Sequence, residues 1–279
     1  WQAASSLTPS TKYSTLKSSA TVSSFPSATD AAAITASKTL TTGTLAPVLK
    51  AAALLTVKDA NQNALYAQKA TVAVTGPGTV GVVAGSAASG STSTCSSMGR
   101  SVSVTASSSQ NTFGICVYND GTAGTSTVTV TAGGVSMGTF NVYFYGSVAT
   151  VKIIAQNLKI AKAATTTATA LGDGTDANPT GATVATTPAV TVELVDSLGN
   201  PVPGKAASLD CKATDTTVIA SCAAVESNGT GAGDGYAGAG YYNFSVTPAI
   251  AGLSGASTTV VFRYLTSDGV TYISSAPLT

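Results

Sequence analysis

A chain of 279 residues is too long for one ordinary β-sandwich and suits two domains, each able to bury its own core. Its apolar fraction of 44% excludes a disordered chain, while charged residues are only 9% and the formal net charge is +1. So weak a charge gives no field to steer the protein to nucleic acid or acidic lipid, and it favours association over mutual repulsion.

Ser and Thr make up roughly a quarter of the residues, 28 are Gly, and aromatics are 6%. Small, β-branched and hydroxylated residues suit pleated, half-buried surfaces joined by many turns, so the predicted class is all-β. Residues 1–30 are Ser/Thr-rich with little apolar pattern. They are expected to be a disordered leader, the last strand of an upstream module, or an N-terminal arm that pairs with a neighbour. The opening Trp1-Gln2-Ala3-Ala4 in place of Met is what removal of a leader would leave. The most apolar window, Ala46 to Val57, is short and carries Lys50, so no bilayer span is predicted.

From residue 31 onward, strands are read by alternation. Ala70–Thr75 ends at Gly76-Pro77-Gly78; Arg100–Thr105 is followed by Ile115–Tyr118 and a turn at Asn119-Asp120-Gly121. Thr127–Thr131 leads through Gly133-Gly134 to Thr139–Tyr145. The junction falls after Gly146, giving predicted modules at 31–147 and 148–279, stacked stiffly for want of a linker. In the second, strands are expected at Ala149–Ala155, Val190–Val195, Ala206–Cys211, Tyr241–Thr247, Thr258–Tyr264 and Thr271–Ser274. Short strands at this spacing are the signature of a sandwich built as a meander or Greek key.

An internal repeat supports two copies of one unit of about 130 residues. Leu55-Thr-Val-Lys-Asp59-Ala-Asn-Gln-Asn63-Ala-Leu65 matches Val192-Glu-Leu-Val-Asp196-Ser-Leu-Gly-Asn200-Pro-Val202. Each is an apolar strand, an Asp, a turn containing Asn, and an apolar residue that opens the next strand. Asp59 and Asp196 can accept backbone N–H bonds from two residues on, and Gly199-Asn200 tolerates positive φ. Further on, Gly121–Val130 corresponds to Ala251–Phe262.

The strand–Asp-x-x-Gly-Asn-Pro-Val pattern of Val190 to Gly204 resembles the bacterial immunoglobulin-like (Ig-like) modules of invasin-type adhesins and tandem-repeat surface-layer proteins. In the first module Gln62-Asn63-Ala64 stands in place of Gly-Asn-Pro. The resemblance implies two Ig-like β-sandwiches, an extracellular structural or adhesive role, and no catalytic residues.

Four cysteines, Cys95, Cys116, Cys211 and Cys222, allow three disulfide connectivities. The local one pairs Cys95 with Cys116 and Cys211 with Cys222; buried free thiols are the alternative. Disulfides would place the chain in an oxidising compartment. The absence of His removes every catalytic triad with an imidazole base and every His-bearing zinc site. Glu193 and Glu226 are the only glutamates and are read as structural rather than as a glycosidase pair. Ser37-Lys38 lies in a polar strand and is not read as a Ser–Lys dyad, and Gly231–Gly240 is read as a loop.

Asp173, Asp176 and Asn178 gather oxygen donors, a calcium candidate without the EF-hand spacing. Asn228 and Asn243 are glycosylation candidates, Asn228-Gly-Thr230 in a polar loop and Asn243-Phe-Ser245 in a strand. Tyr241-Tyr242 and Phe140–Tyr145 are expected to fill the cores. Copies of itself are the expected partner, with cell-envelope glycans as a further one, and no cofactor apart from calcium is expected. The composition, with the resemblance, therefore predicts a non-catalytic structural protein that self-assembles into a surface layer or filament. An adhesin or glycan-binding stalk, or a viral capsid-decorating protein, is the alternative.

Overall fold

The computed structural model describes residues 8–19, 25, 34–38, 49–85, 95, 97–156, 189–226, 240–249 and 256–279. The chain divides into two compact units, Trp1–Gly146 and Ser147–Thr279, each built of two β-sheets.

Among the described residues the first unit contains nine strands: β1 (Thr15–Ser19), β2 (Ile34–Ser37), β3 (Leu49–Thr56), β4 (Lys69–Thr75), β5 (Thr79–Ala84), β6 (Ser101–Thr105), β7 (Thr112–Tyr118), β8 (Gly124–Ala132) and β9 (Val135–Tyr145). One sheet has the order β1-β3-β7-β5 and the other β2-β9-β8-β4-β6. β2 runs parallel to β9, and every other pairing is antiparallel. The alternation in β4 and β8 sends Ala70, Val72, Val74, Val128 and Val130 inward. They meet Leu55, Val80, Phe113 and Ile115 from the other sheet in one core. Burying such a side chain contributes roughly 1.5–3 kcal/mol, which is what sets the register of each strand.

The second unit contains β10 (Thr150–Gln156), β11 (Val190–Val195), β12 (Leu209–Ala213), β13 (Ile219–Glu226), β14 (Tyr241–Pro248), β15 (Val260–Leu265) and β16 (Tyr272–Ser274). The sheets have the orders β10-β11-β14-β13 and β12-β15-β16. With the seven strands among the described residues lettered A to G in chain order, these are ABED and CFG, the constant-type immunoglobulin arrangement. Phe244 of β14 and Phe262 of β15 meet edge to face across the two sheets, with ring centroids 4.7 Å apart. The first unit keeps the ABED set as β1-β3-β7-β5 and adds β6 beside β4 at the far edge of its second sheet.

Three features depart from the sequence reading. Thr15–Ser19, expected within a separate arm, is β1 and pairs with β3 of the first unit. Leu16 packs against that unit's core and Ser18 is buried, so this stretch belongs to the sandwich. Ala206–Ser208 forms a 3-10 turn, and the strand expected from Ala206 begins at Leu209. Phe140, Phe144 and Tyr242 are buried as expected, but Tyr143, Tyr145 and Tyr241 fall on the opposite side of their pleats and are half-buried.

Candidate functional site

The repeated motif forms the same corner in both units. Asp59 Oδ1 accepts the backbone N–H groups of Asn61 (2.8 Å) and Asn63 (2.9 Å). Asp196 Oδ1 accepts those of Leu198 (2.9 Å) and Asn200 (2.8 Å). In each corner the Asn side chain also donates to the carboxylate, and the Asp N–H returns a bond to the Asn carbonyl. Gln62 at φ 67° and Gly199 at φ 82° occupy the same left-handed position, which costs a non-glycine residue energy. Both aspartates are buried, so every carboxylate bond here replaces water.

The two disulfides are the local pairs, Cys95–Cys116 and Cys211–Cys222. They do different things. Cys116 lies on β7 but faces away from the main core, into a satellite cluster with Phe25, Ala52, Cys95 and Tyr118. The first bridge thus pins the Cys95 segment against the outer face of the sheet. Gly81 sits opposite Cys116 in the ladder; a Cβ there would lie 2.6 Å from Cys95 Cβ and 2.9 Å from the Ser97 carbonyl. Burial pushes the Tyr118 phenol up in the same cluster. The second bridge joins β12 to β13, the edge strands of opposite sheets, and closes one side of the sandwich.

The outer faces differ as much as the bridges. In the first unit the ladder sets Ser103, Thr71, Thr131 and Ser136 in one row across the β9-β8-β4-β6 sheet. The next row is Ser101, Ala73, Thr129 and Thr139, followed by Thr75, Thr127 and Asn141, and then Thr125 with Tyr143. None of these residues is buried. Lys69, at the rim, is the one charged residue in the five strands. The second unit's β12-β15-β16 face instead carries a bidentate pair. Arg263 Nε and Nη2 donate to Asp210 at 2.8 and 2.6 Å, and the guanidinium lies 4.2 Å from the Tyr272 ring centroid. Its bond to Asp210 raises the Arg263 pKa further.

The sheet edges are guarded unequally. β10 carries Lys152, 3.8 Å from Glu193, and a bulge between Ile153 and Ala155. β1 carries Lys17, and β12 carries Asp210 and Lys212. β5 is bridged by Gly99, with Val80 and Gly99 exchanging both backbone bonds. β13 is different. It reads Ile-Ala-Ser-Cys-Ala-Ala-Val-Glu, pairs with β14 alone among the described residues, and has its one charge at its end. There Glu226 accepts the Gly204 N–H at 3.0 and 2.9 Å and the Gly240 N–H at 3.3 Å. Ala220, Ser221, Ala223 and Val225 are exposed along it.

No protein-family model and no curated protein matches the chain. Among solved structures it is similar to the Yersinia pseudotuberculosis protein InvD, with a TM-score of 0.38 and 15% identity over 97% of this chain and 58% of that one. It is similar to the Yersinia pseudotuberculosis adhesin InvE, with a TM-score of 0.30 and 13% identity over 96% of this chain and 60% of that one. Domains 5–6 of the S-layer protein SbsC give a TM-score of 0.23 and 16% identity over 82% of this chain and 98% of those domains. The chain spans less than two thirds of the length of the two Yersinia chains.

The calcium candidates Asp173, Asp176 and Asn178 lie outside the described residues, as do Asn228 and all but the last residue of Gly231–Gly240. Asn243 is a correction. It lies within β14, 1% exposed, with its Oδ1 accepting the Thr191 hydroxyl at 2.9 Å, so the folded unit leaves no room there for a glycan. Glu193 pairs across the ladder with Tyr241 and Glu226 with Tyr242, which sets the two glutamates on opposite faces of one sheet. They cannot flank one glycosidic bond. Ser37 ends β2, and the Lys38 N–H donates to the Tyr145 carbonyl.

Two features escaped the sequence reading. β13 is rich in Ala and Ser and lacks the β-branched run that marks a strand. The hydroxyl face was written as Thr-x-Thr-x-Thr-x-Thr over residues 125–131 but shows as a face only once neighbouring strands are in register.

Proposed function

We propose that this chain is a non-catalytic extracellular building block that assembles with copies of itself into a surface layer or filament through the edge that β13 leaves unpaired among the described residues. The observation that carries the reading is that edge: eight residues, uncharged up to Glu226, with no lysine or proline to block pairing. A net charge of +1 leaves little repulsion between copies. An antiparallel self-pairing centred on Ala223 sets Ser221 against Val225 and Ala220 against Glu226, with no like charges opposed. The two disulfides suit an oxidising, extracellular setting. The separated glutamates and the absence of imidazole support a structural rather than a chemical role. Among the described residues no helix is long and apolar enough to cross a membrane.

Sedimentation velocity over a concentration series tests the reading. The 279-residue chain is expected to shift to larger species as concentration rises, and Ala223→Lys, which adds a charge to the exposed edge, is expected to hold it as a monomer. A wild-type chain that stays monomeric throughout, or one whose association ignores Ala223→Lys, refutes β13 as the contact.

A further inference from the structure

We propose that the hydroxyl face of the first unit is a binding surface for an extended, neutral polysaccharide. The face spans four aligned strands about 4.8 Å apart, with outward residues repeating every ~6.7 Å along each strand. Hydroxyls stand at nearly every point of that grid, and its one charge, Lys69, lies at the rim. A carboxylated or phosphorylated polymer would find no matching charge across the middle, whereas a neutral polyhydroxylated chain finds donors and acceptors in rows.

The hydroxyls are held in place. Thr127 Oγ1 donates to Asn141 Oδ1 at 3.1 Å, Thr131 Oγ1 to the Thr71 carbonyl at 3.3 Å, and Thr75 Oγ1 to the Thr127 carbonyl at 3.4 Å. Their donors are directed within the sheet and their lone pairs remain to accept from a ligand. Threonine is also stiff about χ1, so little side-chain freedom is lost on binding. Tyr143 and Tyr145 occupy successive outward positions of β9 at one end of the array, half-buried, and offer rings on which the C–H face of a sugar can stack. A protein partner fits less well. Protein interfaces centre on Trp, Tyr, Phe, Met and Arg anchors, and the outward positions of this face hold only Tyr143 and Tyr145, at one end of the array and not at its centre. The inference stands apart from β13 and does not require self-assembly.

Native affinity electrophoresis tests it on the full chain, with gels containing hydroxyethylcellulose, dextran or mannan as neutral polymers and polygalacturonate as the anionic one. At least one neutral polymer is expected to retard the protein. Tyr143→Ala should weaken that retardation tenfold or more, as should Thr125→Lys and Thr139→Lys, both at exposed positions and so expected to leave the fold intact by circular dichroism. Lys212→Thr, on the second unit, should change nothing. No retardation by any neutral polymer, retardation by polygalacturonate alone, or retardation indifferent to all three face variants overturns the proposal. Loss of self-association in Thr139→Lys with polymer retention unchanged also overturns it and makes the face a contact between copies.

Discussion

The two units turn the same corner and then diverge. Asp59 and Asp196 hold their loops with matching bonds, yet the first unit spends its disulfide on the outside of a sheet and the second spends its own between sheet edges. One unit presents a neutral hydroxyl face, the other a face crossed by the Asp210–Arg263 pair. The difference teaches which parts of this chain are framework and which are free to vary. What recurs is the buried acceptor that closes a turn, while bridges and outward side chains differ with the surface each unit offers.

The comparison can be broken first at the corners. Asp59→Ala and Asp196→Ala each strand two backbone N–H groups, and each is expected to cost about 3–4 kcal/mol. Hydrogen exchange of core amides in the intact chain should show the loss in the affected unit alone. A cost below about 1 kcal/mol in either would mean that the shared corner is not framework.

The bridges come next. Replacing Cys95 and Cys116 together by Ala, or Cys211 and Cys222 together, should cost about 3 kcal/mol by loop entropy, with the larger loss in the first unit. Its loop is longer, at a sequence separation of 21 against 11, and Cys95 and Cys116 are buried, so Ala leaves a void. Equal losses would show that the satellite cluster around Phe25 contributes nothing of its own.

Smaller still is the left-handed corner position. Gln62→Gly should stabilise the first unit by about 1 kcal/mol and Gly199→Gln destabilise the second by a similar amount, read from thermal melting. Same-sign effects would deny that the two positions are equivalent.

The smallest effect concerns acid. The hydroxyls of Thr266 and Thr271, then the N–H groups of Thr271 and Val270, hold the exposed Asp268 carboxyl well below the usual carboxylate range. The folded chain therefore binds that proton less readily than the unfolded chain. Its contribution is complete above about pH 4 and disappears as the pH falls toward the lowered folded value. Asp268→Asn should flatten the acid limb of the second unit's stability curve and leave the first unit's unchanged.

Much of this fold was legible. Alternation located β4, β6 and β8 to within a few residues, because each turns its more buried side chains to one face, and the β-branched and aromatic residues of β11 and β14 marked those strands although both faces are covered. The Asp corners were legible because an Asp followed by Asn four residues later has a local reason to turn. β13 was not, since Ala and Ser carry no periodic apolar signal, and its strand character comes from β14 beside it. Asn243 looked glycosylatable because a sequon says nothing of burial, and β14 is buried on both faces from Tyr242 to Ser245. β1 was hidden because Thr15-Leu-Lys-Ser-Ser19 has one apolar residue, and the β3 edge supplies the rest. The candidate surfaces were the least legible, because an edge or a face is a property of neighbouring strands.

Negative-stain electron microscopy of the purified chain, alone and as Ala223→Lys, over rising concentration is the most direct test of the assembly claim. Ordered sheets or filaments in the wild type that vanish in the variant are the predicted result. Dispersed single particles at every concentration, or arrays that persist with the lysine in place, would contradict it.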